Sequence, residues 1–258
     1  MKYIKKFEKI ETRFSINYKN LTELPDLYDG MLQLDCNNNL LTELPELPVT
    51  LIRLCCQDNH LRSLPKLPNR LEYLNCSNNE LTKLPELPIT LTDLDISNEV
   101  KDVDQEKKIN SKRFPNERMH YYNNNNITTL PKLPNGLENL NCTNNELTEL
   151  PELPDTLEML FCRNNNLTSL PKLPSKLISL DITGNNIGNN INSYSFLPNT
   201  LEYLMCKNCN LSDLPILPVS MKHLECSGNN LPYTDMSSYY KWLSENHPEV
   251  ISGRKFNI

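Results

Sequence analysis

The sequence predicts an α/β-type repeat solenoid dominated by one parallel β-sheet, and three observations predict it. Leu71-Leu74-Cys76-Asn79-Leu81, Leu137-Leu140-Cys142-Asn145-Leu147 and Leu157-Leu160-Cys162-Asn165-Leu167 repeat one pattern at identical spacing. The cysteine column of that pattern runs Ile16, Cys36, Cys56, Cys76, Ile96, Tyr122, Cys142, Cys162, Ile182, Cys206 and Cys226. Its members stand mostly 20 residues apart, with gaps of 26 after Ile96 and 24 after Ile182, which makes about eleven rows. Between rows the chain reads Leu-Thr-x-Leu-Pro-x-Leu-Pro, as in Leu81 to Pro88. A unit this short cannot bury its apolar face alone, so each row must be completed by its neighbours in a stacked array.

At the start, Tyr3, Phe7 and Ile10 recur at helical spacing with Ile4 beside them, which predicts a short helix in an N-terminal cap of residues 1–13. The solenoid then spans 14–231. Within a row, Leu54 and Cys56 alternate with Arg53, Cys55 and Gln57, the period-two pattern of a strand with one buried face. Strands stacked in this way form a parallel sheet. Asn39, Asn59, Asn79, Asn125, Asn145, Asn165, Asn185 and Asn229 are expected to form an internal ladder whose amides satisfy the backbone where it bends off the strand, with Glu99 and Cys209 replacing it in two rows. Paired prolines such as Pro45 and Pro48 exclude a helix on the return leg and predict an extended convex side. The expected shape is a narrow, curved and twisted rod with a strand-lined concave face.

With these residues in view, the chain resembles the leucine-rich repeat superfamily. The doubled Leu-Pro is similar to the short subclass found in secreted effectors of Gram-negative pathogens and in proteins of large DNA viruses. The resemblance covers roughly residues 14 to 231. It implies a protein-binding role in a host cytoplasm.

Residues 97–118 lose the Leu-Pro signature and fill with charges, which predicts an irregular insertion in the array or a docking loop. At the far end, in the segment 232–258, Asp235 is placed to cap a helix. Its stripe of Met236, Tyr239, Tyr240 and Leu243, with Trp242 beside it, would seal the last row.

Composition narrows the functional classes. A formal net charge of −6 argues against a nucleic-acid partner, because phosphate recognition draws on clustered Lys and Arg. No stretch approaches the roughly 20 apolar residues that span a bilayer, and the first ten residues do not read as a signal peptide. Most of the nine cysteines share a column with Ile16, Ile96 and Ile182, so they act as small hydrophobes. Free thiols in a reducing compartment, the cytoplasm, follow. The residue between the two Leu-Pro pairs alternates in sign through Glu46, Lys66, Glu86, Lys132, Glu152 and Lys172, which reads as a structural device against register slip.

No catalytic arrangement emerges, and no cofactor or metal is expected. Cys56-Gln57-Asp58 spells the Cys-x-Asp of the effector-family ubiquitin ligases, but there the motif belongs to a separate helical domain, and here Cys56 falls in the core column. Cys206 and Cys209 have no second pair at zinc spacing. His60, His120, His223 and His247 are scattered.

Function is therefore sought on the concave face, at the solvent positions flanking each core leucine. One column runs Gln33, Arg53, Tyr73, Asp93, Met119, Asn139, Met159, Ser179, Tyr203 and His223, and the next Asp35, Cys55, Asn75, Asp95, Tyr121, Asn141, Phe161, Asp181, Met205 and Glu225. Large apolar side chains gather in the later rows, so Met119, Tyr121, Met159, Phe161, Tyr203, Met205 and His223 are the candidate partner-binding residues. The leading expectation is a non-catalytic protein-binding scaffold with a protein partner, self-association being another use of the patch. The second is a substrate adaptor in a ubiquitin-ligase assembly, with the chemistry supplied by another chain.

Overall fold

The computed structural model describes residues 12–98, 124–188, 197–212, 214 and 217–246. Strands of three residues each recur along this chain: β1 (Arg13–Ser15), β2 (Gln33–Asp35), β3 (Arg53–Cys55), β4 (Tyr73–Asn75), β5 (Asp93–Asp95), β6 (Asn139–Asn141), β7 (Met159–Phe161), β8 (Ser179–Asp181), β9 (Tyr203–Met205) and β10 (His223–Glu225), followed by α1 (Met236–Asn246). The strands form one parallel sheet in sequence order. The central leucines are in register across it, from Leu34↔Leu54 to Leu204↔Leu224. Expected helix residues 1–11 lie outside the described chain.

Each turn buries leucines from strand and return leg in a continuous core, with Leu51, Leu54, Cys56 and Leu61 fully inaccessible in one representative row. Among the described residues, the return legs carry no α-helix. Prolines shape them, and a bond such as Leu51 N to the Pro48 carbonyl, at 3.0 Å, closes the corner before the next strand. Hydroxyls clip successive turns together there: Thr50, Thr90 and Thr156 donate to the carbonyls of Met31, Leu71 and Leu137, each at 2.7 Å.

The asparagine ladder is present as expected. Asn79 Nδ2 donates to the carbonyls of Cys56, Cys76 and Ser77, while its Oδ1 accepts from Leu61 N at 3.0 Å. Asn59, Asn145 and Asn165 repeat this set, so one amide ties its own turn to the preceding one. Cys209 takes the rung by placing Sγ 3.1 Å from the Ile182 carbonyl. The residue before the rung is left-handed, at φ 55° for Asn38 and 57° for Asp58, which explains the recurring Asn or Asp. Glycine stands there in two rows, and a Cβ on Gly184 would lie 2.2 Å from Asn164 Oδ1.

The row count differs from the expected eleven. β5 pairs directly with β6, Leu94 facing Leu140, so no strand stands between them and the sheet has ten strands among the described residues. Asn125, not Glu99, completes the turn begun by β5: its Nδ2 donates to Ile96 O and its Oδ1 accepts from Leu81 N. Asn98 and Asn125 are clipped to each other, Asn125 N donating to Asn98 Oδ1 at 2.7 Å and Asn98 Nδ2 to the Asn125 carbonyl at 2.8 Å. Ile96 and Asn125 thus belong to one row, divided by 26 extra residues, 99–124, whose removal restores the 20-residue period from Ile96 to Cys142. A chain with Asn98 joined directly to Asn125 is expected to fold. Its stability should equal or exceed the parent's by up to about 3 kcal/mol, the closure entropy of the removed segment, as read by denaturant unfolding.

At the C-terminal end, Asp235 caps α1 as expected, accepting from Ser238 N at 2.8 Å. Tyr239 and Leu243 are buried by the helix. Tyr233, Tyr239 and Trp242 form an aromatic cluster, with the Tyr233 and Tyr239 rings edge-to-face at 5.0 Å. The Tyr239 hydroxyl accepts from Leu217 N at 3.1 Å, tying the helix to the last return leg.

Candidate partner-binding face

The concave face divides into two halves of different character. From β1 to β6 several of its polar groups pair with one another. Arg13 reaches forward to Asp35, with Nη2 2.7 Å from Oδ2. The Arg53 guanidinium lies 3.5 Å over the centre of the Tyr73 ring, and Asn139 Nδ2 donates to Asp93 Oδ1 at 2.7 Å. Two positions expected to be exposed are buried as a result: Asp35 at 6 % and Cys55 at 5 % exposure, because Arg13 covers the one and the side chains of Asp35 and Arg53 close over the other.

Much of the second solvent column turns out to be structural. Asn75, Asp95, Asn141 and Asp181 each accept, through Oδ1, the backbone N–H two residues on, from Ser77, Ser97, Thr143 and Thr183. These side chains form the bend that leaves the strand. The signal was readable, since each is an Asn or Asp followed two positions later by Ser or Thr. A polar groove of about 470 Å³ lies along this edge, lined by Gln57, Asp58, Asp95 and Asn144 among others. Asn38 and Asn78 clamp Asp58 from both sides, at 3.3 and 2.9 Å.

From β7 to β9 the surface becomes apolar. Met159 and Tyr203 stand exposed at 39 and 40 %, and Phe161 and Met205 are half-buried beside them. Strand pairing places Met159, Ser179, Tyr203 and His223 in one line across the sheet, and Phe161, Asp181, Met205 and Glu225 in the next. Ser179, expected to be exposed, is 9 % exposed because the larger residues of β7 and β9 rise on both sides of it. The patch is thus a notch with a serine floor. His223 borders it and is paired with Glu225 at 3.3 Å, which Lys207 also holds at 2.5 Å. Met119 and Tyr121 lie outside the described residues.

The groups considered for chemistry are occupied by the fold. All nine cysteines are free and buried. Burial pushes the Cys36 and Cys142 thiols up to about 12, and drives Cys56 well above its ordinary range, the opposite of nucleophile activation. Cys209 is held as a ladder rung by two carbonyls. His60 Nδ1 lies 3.2 Å from Glu80 in a surface pair between rows. Among the described residues, no three His, Cys, Asp or Glu side chains are grouped to hold a metal ion, and no helix is long and apolar enough to cross a membrane.

No protein-family model and no curated protein matches the sequence. Solved structures do. The chain is similar to the leucine-rich effector protein YopM of Yersinia pestis, with 33 % identity and a TM-score of 0.69 over 86 % of this chain and 56 % of that one. It is also similar to the leucine-rich repeat domain of a Shigella effector, with 33 % identity and a TM-score of 0.54 over 68 % of this chain and 71 % of that domain. The chain therefore spans little more than half the length of the Yersinia protein.

Proposed function

Since the chain belongs to the leucine-rich repeat superfamily, we propose that it is a non-catalytic scaffold that captures a protein partner on the concave face of β7 to β9. One observation carries this reading. Met159, Phe161, Tyr203 and Met205 line an apolar notch open to solvent on a regular strand surface, while on β1 to β6 Arg13 is paired with Asp35, Arg53 with Tyr73 and Asn139 with Asp93. Aromatic and methionine side chains on a rigid surface supply a disproportionate share of interface energy. The buried thiols suit a reducing compartment such as a host cytoplasm. Similarity to two bacterial effectors agrees with that setting.

Replacing Phe161 and Tyr203 together by alanine is expected to weaken partner binding by about 2–4 kcal/mol, with thermal stability retained because neither belongs to the core column. Gln33→Ala is the control. Asp35 and Asn75 would be poor controls, since one is paired with Arg13 and the other shapes a turn. Equal loss in the aromatic and Gln33 variants, or none in either, would place the site elsewhere.

A further inference from the structure

We infer that the notch between β7 and β9 receives an arginine side chain of the partner, its guanidinium shared between the Tyr203 ring and the Asp181 carboxylate. This rests on the concave-face reading above and names the chemistry of the group captured.

The molecule displays both halves of such a site elsewhere on the same face, filled by its own arginines. A residue of the first solvent column reaches forward over the next strand: Arg53 of β3 stacks on Tyr73 of β4, and Arg13 of β1 pairs with Asp35 of β2. Tyr203 stands in the column of Tyr73, and Asp181 in that of Asp35. One strand back from Tyr203 is Ser179, and one strand back from Asp181 is Met159, neither of which is cationic.

Two nearby lysines are already engaged, Lys222 with Glu202 at 2.7 Å and Lys207 with Glu225 at 2.5 Å. Among the described residues no Lys, Arg or His nitrogen lies within 4.0 Å of the Asp181 carboxylate. Among the described residues its Oδ1 accepts only from Thr183 N, at 2.9 Å. The surface thus offers an exposed aromatic face and an unneutralised carboxylate on neighbouring strands, roughly 8 Å apart along the diagonal. Met159, Phe161 and Met205 flank them as apolar walls. An arginine matches this set: its methylenes pack on the methionines, its plane stacks on tyrosine, and its fork of donors meets the carboxylate.

The test uses the full chain with methyl-labelled methionines and capped decapeptides of Gly, Ser and Thr whose central residue is arginine, lysine, citrulline or glutamate. The arginine peptide is expected to shift the Met159 and Met205 methyl resonances saturably and to bind about tenfold tighter than the citrulline peptide, its neutral isostere. Asp181→Asn is expected to shrink that difference by half or more without lowering the thermal midpoint, because Asn75 and Asn141 accept the same turn bond in their own rows. Equal binding of the arginine and citrulline peptides, or shifts confined to other methionines, would overturn the inference. The peptide comparison needs only the unaltered chain, so it decides the matter whatever the variant does. A partner whose binding depends on Phe161 and Tyr203 but ignores Asp181→Asn would also remove the arginine, while leaving the docking face in place.

Discussion

Raising the pH from 8 to about 10 is expected to unfold this chain. Burial raises the pKa of every one of its nine thiols above the ordinary 9.0, to about 11 for Cys55 and Cys209, to about 12 for Cys36, Cys142 and Cys226, and well above the ordinary range for the rest. A thiol that stays protonated in the native state while the unfolded chain ionises contributes stability that is complete below the unfolded pKa and declines as pH rises past it. The decline continues up to the folded pKa. At pH 10 each thiol costs on the order of 1 kcal/mol, so nine together cost on the order of 10 kcal/mol, comparable to the whole stability of an ordinary domain. Denaturant unfolding measured across pH 7 to 10.5 should show this as a steep alkaline loss. Replacing Cys76 and Cys162 by valine should remove two protons from the slope, since the column tolerates Ile96 and Ile182 as branched hydrophobes. A midpoint that holds to pH 10.5 would mean that the thiols are not kept from water as a group.

The second large effect belongs to the ladder. Asn145→Leu removes an amide that donates to the carbonyls of Ile96, Cys142 and Thr143 and accepts from Ile127 N. Leucine is close in volume, so packing loss is small. The cost lies in buried backbone groups left without partners, about 1–3 kcal/mol for each one orphaned. With two to three groups unmet, a loss of about 2–9 kcal/mol is expected. In a solenoid stabilised by contacts between neighbouring turns, that loss should open the array locally around β5 to β7 before the ends unfold. Hydrogen exchange resolved along the chain reads this out. Uniform exchange, or an unchanged midpoint, would make the asparagine column an ornament.

The ladder was legible in the sequence because one buried amide per turn leaves a strict period, and Cys209 could be recognised as its substitute by position alone. The row count was not. Tyr122, Asn125 and Ile127 imitate a complete row 26 residues after Ile96. Spacing cannot say which strand an asparagine serves, and only the bonds from Asn125 to Ile96 O and Leu81 N assign it to the row that β5 begins. The same limit applies to the face. Met159, Phe161, Tyr203 and Met205 could be picked out by type and column, but the burial of Asp35 depends on an arginine 22 residues earlier. The notch at Ser179 and Asp181 depends on the height of side chains from two other strands. Properties that repeat within a row are written in one row. Properties made between rows appear only when the register is known.

Site-resolved crosslinking tests the central claim most directly. A photoreactive phenylalanine analogue placed in turn at Phe161, at Gln33 on the polar half of the concave face, and at Val49 on the turn outside it samples three surfaces of one molecule. In cytoplasmic extract the account predicts a discrete protein adduct from position 161, outcompeted by excess unlabelled chain, and none from positions 33 or 49. Adducts of equal yield from all three positions, or from position 49 alone, would contradict it.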